Sequence, residues 1–309
     1  MKILVIKLGA LGDFVLAMVA MKHIREAHPT ARITLLTTPP FKALAKASGW
    51  FEVIETDGRP EGLLANIRLL RRLRRSRYDR VYDLQTSSRS SSYFKFLKPN
   101  PPEWSGIAKG CSHPHANPER NFMHTLERQA DQLMYAGIWP DAPIEPATAP
   151  PPDLSFLAGS GETPPGRYAL LVPGGSAHRL DKRWPAECFG LLGRFLRDKG
   201  LDVVVIGGPP EAMLAQTIAG GAGQILDLTG KTDFAQIAAL GAKAALAIGN
   251  DTGPLHLVAA TGAPTIALFS NASDPALCAP RGNVRVLHSP TLADLPVSAV
   301  ADAAHDLLK

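Results

Sequence analysis

Cysteine is scarce: Cys111, Cys188 and Cys278 are the whole supply, and they lie far apart. That excludes a disulfide framework and fits a reducing compartment. No apolar stretch reaches the roughly 18 residues that a membrane span needs. The opening run, residues 1–7, is too short for a signal peptide, and Lys7 and Asp13 interrupt its apolar character. A cytoplasmic protein is the expectation. The dinucleotide fingerprint G-x-G-x-x-G is missing, since Gly9-x-x-Gly12 has the wrong spacing, and no G-x-x-x-x-G-K-[ST] loop occurs. NAD binding and P-loop phosphoryl transfer are therefore disfavoured. No D-x-D-type acidic cluster stands beside a Gly-rich loop. Cys111, His113, His115 and His124 are poorly spaced for zinc. The sequence predicts neither a metal nor a cofactor.

What is present is two halves of ordinary globular composition, as 309 residues suggest. Residues 1–150 hold 21 Lys and Arg against 14 Asp and Glu, a net +7, whereas residues 151–309 hold 12 against 14. An anion-attracting surface is thus expected on the first half. In both halves short apolar runs alternate with helical patterns, which predicts α/β folds with parallel sheets covered on both faces. Strands are expected at residues 3–7, 33–37, 52–55, 80–84, 168–172, 203–206, 225–228, 244–248 and 265–269. The stretch 98–121 reads as Pro-rich and irregular. Prolines crowd residues 140–166 and mark a linker between domains 1–150 and 151–309. The last helix, near residues 297–308, has an apolar face for a core and is a candidate to pack back on the N-terminal domain.

Residues 63–77 form a predicted helix carrying Arg68, Arg71, Arg72, Arg74, Arg75 and Arg77, with Leu64, Ile67, Leu70 and Leu73 as its apolar stripe. Its plain reading is a solvated amphipathic helix. The functional reading is contact with an anionic membrane surface or a phosphorylated acceptor. No aromatic residue interleaves with the arginines, so nucleic acid is disfavoured. After the strand at 80–84 comes a polar loop with Asp83, Gln85 and Arg89, where open α/β sheets place ligands.

The strongest local pattern is Gly249-Asn250-Asp251-Thr252-Gly253-Pro254-Leu255-His256, between an apolar strand and a helix that Pro254 opens and Gly262 and Pro264 close. Backbone N–H groups at such a turn favour a diphosphate, to which Thr252, Gly253 and His256 add donors or close approach. Asp251 is odd in a pure anion site and suits a neighbouring polyol. The competing reading makes Asp251 or Thr252 a simple N-cap.

Together Leu11-Gly12-Asp13, the Pro173-Gly174-Gly175-Ser176 loop ahead of Lys182-Arg183-Trp184-Pro185, and the Asp251-Thr252-Gly253-x-x-His256 stretch resemble family 9 glycosyltransferases, the lipopolysaccharide heptosyltransferases. The resemblance implies the GT-B architecture, two Rossmann-like doubly wound domains facing across a cleft, with donor on the second and acceptor on the first. It implies inverting, metal-independent transfer of heptose from an ADP-sugar to a lipid-linked or phosphorylated saccharide acceptor. Asp13 would be the general base, with Asp83 the next candidate, and Gly12 would lie beside the acceptor. Lys182, Ser176 and His178 would meet the diphosphate, with Asp251, Thr252, Gly253 and His256 on the diphosphate and sugar. Glu211 would bind the ribose, and Lys231 and Thr232 would support the adenine. Family members often carry Thr or Ser just before the lysine segment; Ala177 and His178 stand closest here. A sugar-nucleotide epimerase or hydrolase of the same fold, or a non-catalytic nucleotide-sugar-binding protein, are the alternatives.

Overall fold

The computed structural model describes residues 1–141, 144–157, 159, 161–175 and 179–309. Ser176 and His178 lie outside the described residues. The chain divides into two compact units, Met1–Pro150 and Pro151–Lys309.

The first unit runs β1 (Lys2–Ile6), α1 (Leu11–Ala27), β2 (Arg32–Leu36), α2 (Lys42–Ser48), β3 (Val53–Glu55), α3 (Leu63–Ser76), β4 (Arg80–Asp83), α4 (Ser88–Phe96), β5 (Glu103–Gly106), β6 (His113–Pro114) and α5 (Thr125–Tyr135). Its six strands are all parallel, in the order β3-β2-β1-β4-β5-β6. Ile3, Leu4, Val5 and Ile6 are fully buried, as a strand covered by helices on both faces must be. Two strands and a helix here were not expected. β5 and β6 arise inside the stretch taken as irregular. α4 forms where a polar loop was expected, because Ser87 and Ser90 make a reciprocal capping box that satisfies the first-turn amides.

The second unit runs β7 (Tyr168–Val172), α6 (Ala186–Asp198), β8 (Asp202–Val205), α7 (Ala212–Ala222), β9 (Leu226–Asp227), α8 (Phe234–Lys243), β10 (Leu246–Asn250), α9 (Gly253–Ala259), β11 (Thr265–Phe269), α10 (Pro275–Cys278), β12 (Val284–His288) and α11 (Val297–Leu307). The parallel order β12-β11-β10-β7-β8-β9 repeats that of the first unit. β10 and β7 approach so closely at Gly249 that a Cβ there would stand 2.6 Å from both Cβ and O of Val172. Only glycine fits. Trp184 is buried, packs edge-on against Phe189 with centroids 4.8 Å apart, and donates from Nε1 to the Leu295 carbonyl at 3.0 Å.

Within the Pro-rich stretch, Leu154 N donates to Ala260 O at 2.8 Å and ties that part of it to the second unit. In the last helix, Val300, Ala303 and Ala304 of α11 are buried in the core of its own unit. No described helix is long and apolar enough to cross a membrane.

Candidate active site

In a doubly wound sheet the chain leaves two adjacent central strands toward opposite edges. The crevice beyond their C-terminal ends is the natural ligand site. In the second unit those strands are β7 and β10. Their loops are locked together by Asn250, which is fully buried. Its Nδ2 donates to the carbonyls of Pro173 (2.8 Å) and Gly174 (3.2 Å), and its Oδ1 accepts from Trp184 N at 3.0 Å. One side chain thus fixes the Gly-rich loop and the lysine segment relative to the end of β10.

Asp251 follows, and the structure surrounds it with donors. Lys182 Nζ lies 2.7 Å from Oδ2, Ser273 Oγ donates to the same oxygen at 2.7 Å, and His256 Nε2 stands 3.6 Å from Oδ1. Burial alone would raise the Asp251 pKa, but His256, Lys182 and Ser273 outweigh it and hold the carboxyl well below the usual range. The oddness of an acid in this loop is therefore answered by a countercharge 69 residues away in sequence. Neither Asp251 nor Thr252 caps α9 through its side chain. Thr252 Oγ1 and His256 Nδ1 are buried and have no hydrogen-bond partner among the described residues. They are polar atoms left over for something else.

Beside this cluster, Glu211 packs under the loops that follow β7 and β8. A Cβ on Gly174 would meet Glu211 Cγ at 3.1 Å, and one on Gly207 would meet Glu211 Cβ at 2.8 Å. Arg183 reaches the Gly175 carbonyl and comes within 3.9 Å of Glu211 Oε1. Gly230 N donates to Gly207 O at 2.8 Å, which brings Lys231 and Thr232 alongside; Lys231 Nζ itself is held by Asp227 O at 2.9 Å. The donor-side residues expected from the sequence, apart from Ser176 and His178, thus fall on the strand ends of one sheet.

In the first unit the two central strands are β1 and β4. Gln85 Oε1 accepts from Leu8 N at 2.8 Å and clips their loops together. Asp13 is the third residue of α1, exposed, and makes no hydrogen bond or ion pair among the described residues. It does not cap the helix: the N-cap is Ala10, without a side-chain bond. Gly12 is half-buried next to it. Lys7, not singled out in the sequence, is buried here. Burial pushes its pKa down, Asp13 and Asp83 pull it up, and Arg128 and Arg59 push it down again. Arg59 is a second missed residue, with Nη2 3.9 Å from where a Gly9 Cβ would sit.

Asp83 is fully buried, and its Oδ1 accepts from Gln85 N (3.2 Å) and Thr86 N (3.0 Å), so it organises the loop after β4. Burial lifts its pKa to about 6, against the pull of Ser90, Thr86, Gln85 and Lys7. Arg89 is exposed in the first turn of α4.

Two sheets of Rossmann order, each with polar side chains at its crossing point, define a GT-B glycosyltransferase fold. The glycosyltransferase family 9 (heptosyltransferase) model matches residues 66–293, well over half the chain. The chain belongs to that family and is a glycosyltransferase. It is 24% identical over 282 residues to lipopolysaccharide heptosyltransferase 3 of Escherichia coli, covering 84% of this chain and 80% of that one. Among solved structures, ADP-heptose lps heptosyltransferase II of E. coli superposes with a TM-score of 0.81 at 23% identity, over 100% of this chain and 98% of that one. E. coli heptosyltransferase WaaC with ADP gives 0.78 at 21% identity, over 99% and 100%.

Proposed function

We propose that this enzyme moves heptose from ADP-heptose to a saccharide acceptor of the lipopolysaccharide core, with inversion and without a metal. The observation that carries the donor side is the cluster of Lys182, Asp251, Ser273 and His256, with Thr252 Oγ1 and His256 Nδ1 beside it and without a partner among the described residues. A departing ADP gains negative charge on its diphosphate. Preorganised donors from Lys182, His256 and Thr252 meet that charge where it develops. Asp251 holds the lysine in place and offers its carboxylate to sugar hydroxyls. Glu211 takes the ribose, and the backbone at Lys231 and Thr232 supports the adenine.

The acceptor side rests on Asp13. Its free, exposed carboxylate takes the proton of an acceptor hydroxyl. That oxygen attacks the anomeric carbon, a new C–O bond forms, and the bond from the anomeric carbon to the diphosphate oxygen breaks. The products are the glycoside, ADP and protonated Asp13, which returns its proton to water. Attack opposite the leaving group inverts the centre.

The test is ADP release from ADP-heptose by the purified protein, with and without a core saccharide lacking the heptose, in EDTA and in added Mg²⁺. Acceptor-dependent release that EDTA leaves intact supports the proposal. Release without acceptor makes the protein a hydrolase. Loss in EDTA that Mg²⁺ restores removes the electrostatic account of the leaving group.

A further inference from the structure

The helix α3 buries Leu69 and Leu73. The apolar stripe expected from its sequence is therefore displaced, and Leu64, assigned to that stripe, is 70% exposed, beside Leu63 at 77%. The opposite face carries Leu64, Arg68, Arg71 and Arg75, at steps of four, three and four residues, so they form one line on the helix. Arg74 flanks it. Arg68, Arg71, Arg74 and Arg75 are exposed, and none has a hydrogen bond or ion pair among the described residues. Arg72 shows the contrast: it turns to the sheet side, where Glu55 (2.9 Å) and Asp57 hold it. A concavity of about 390 Å³ opens between Arg68, Arg71, Arg72, Arg75 and Ser76.

Three guanidinium groups on one line, with Arg74 at its flank, have no partner among the described residues and repel one another, and folding has no use for them. Two leucines exposed at the helix start gain nothing in water. Both costs vanish at an anionic bilayer, where arginines meet lipid phosphates and leucines enter the interface. We infer that this face of α3 docks on a membrane surface of anionic phospholipid, with Leu63 and Leu64 as its apolar tip. The topology gives the contact a use. The loop before α3 leaves the C-terminal end of β3, where Gly58 N donates to Thr37 O (2.9 Å) and Tyr93 OH donates to Gly58 O (2.9 Å). The leucine tip thus lies at the end of the sheet that carries Asp13, and a lipid-anchored molecule reaches that end without leaving the bilayer.

Co-flotation of the full chain with vesicles tests this, without donor or acceptor, so the outcome is independent of the sugar-transfer reading. Neutral phosphatidylcholine vesicles are compared with vesicles about one third phosphatidylglycerol, at low and high salt. The protein should float with the anionic vesicles only, and high salt should release it. Each arginine near such a surface contributes a factor of about five. Joint replacement Arg68→Gln, Arg71→Gln, Arg74→Gln and Arg75→Gln should then lower partitioning by several hundredfold, roughly. Leu63→Ser with Leu64→Ser should weaken binding and keep its salt dependence. If the fourfold variant misfolds by circular dichroism, Arg71→Glu alone should lower partitioning by about fivefold or more. Equal binding to neutral vesicles, no binding to either, partitioning unchanged in the arginine variants, or binding abolished by millimolar inorganic phosphate at constant ionic strength would each overturn the inference. The last outcome would mean a phosphate pocket instead of a membrane face.

Discussion

Replacing Lys182 by methionine separates two things the lysine does. Its ammonium is 2.7 Å from Asp251 Oδ2, and the side chains are 19% and 9% exposed. A charge-assisted hydrogen bond contributes about 1.5–3 kcal/mol, and stranding one charge of a fully buried pair costs about 3–5 kcal/mol. Asp251 keeps the Ser273 hydroxyl and the nearby His256 ring, and some water reaches the lysine, so the loss should lie at the lower end, about 2 kcal/mol. For a unit of this size that lowers the melting temperature of residues 151–309 by about 4–8 °C. The sign with pH is fixed by the depressed Asp251 pKa. The stabilisation is complete above about pH 4, where a free aspartate has ionised, and fades as the pH falls toward the depressed folded value. Adding Asp251→Asn removes the stranded charge, so Lys182→Met with Asp251→Asn should melt closer to the wild type than Lys182→Met alone. Donor affinity should not return with it. Loss of the cation proposed to meet the diphosphate should weaken binding of the proposed donor, ADP-heptose, about tenfold to hundredfold in both variants. Differential scanning calorimetry and calorimetric titration with donor read the two quantities. Wild-type melting of Lys182→Met would mean that Asp251 needs no countercharge from the lysine, and recovery of donor affinity in the double variant would leave Lys182 as a mere balance for Asp251.

Asp13→Asn preserves size and removes the proposed base, so kcat should fall about 10²–10⁴-fold with donor Kd little changed, as steady-state kinetics and titration would show. A near-normal kcat would move the base elsewhere, and the full burial of Asp83 makes it a poor substitute. Asp83 predicts its own pH effect. Its folded pKa of about 6 lies above the ordinary value of 3.8, so the folded state holds the proton longer and stability falls as pH rises from about 4 to 6. Asp83→Asn should remove a slope amounting to about 3 kcal/mol, measured by urea unfolding across that window; an unchanged slope would contradict the assignment.

The parallel α/β fold was legible because fully buried strands read as unbroken apolar runs, five residues in β7 and four after Thr265 in β11. Three strands escaped for a physical reason each. β5 is short and lies among prolines, β6 has two residues and contains Pro114, and β12 is an edge strand whose Arg285 and His288 dilute its apolar signal. At the site, the residue types that meet a diphosphate could be read from Asp251-Thr252-Gly253-x-x-His256, since a turn and helix start are local features. The pairing of Asp251 with Lys182 and Ser273 could not be read from spacing, because strand order, not sequence distance, brings them together. Burial decided the other cases. Lys7 and Asp83 look like surface charges in a strand-loop junction, and only the packing of α1, α4 and α5 around β1 and β4 puts them inside.

Asn250 constrains how this enzyme could be remodelled. Its single amide grips the loop at Pro173 and Gly174 and the amide of Trp184, so three stretches of chain share one fastening. Transplanting the Gly-rich loop from a relative with a different sugar preference would shift the two carbonyls that the amide grips, and through them the lysine two residues before Trp184. The smallest portable piece is therefore the set of residues 173–175, 182–184 and 250–251, exchanged as one cassette.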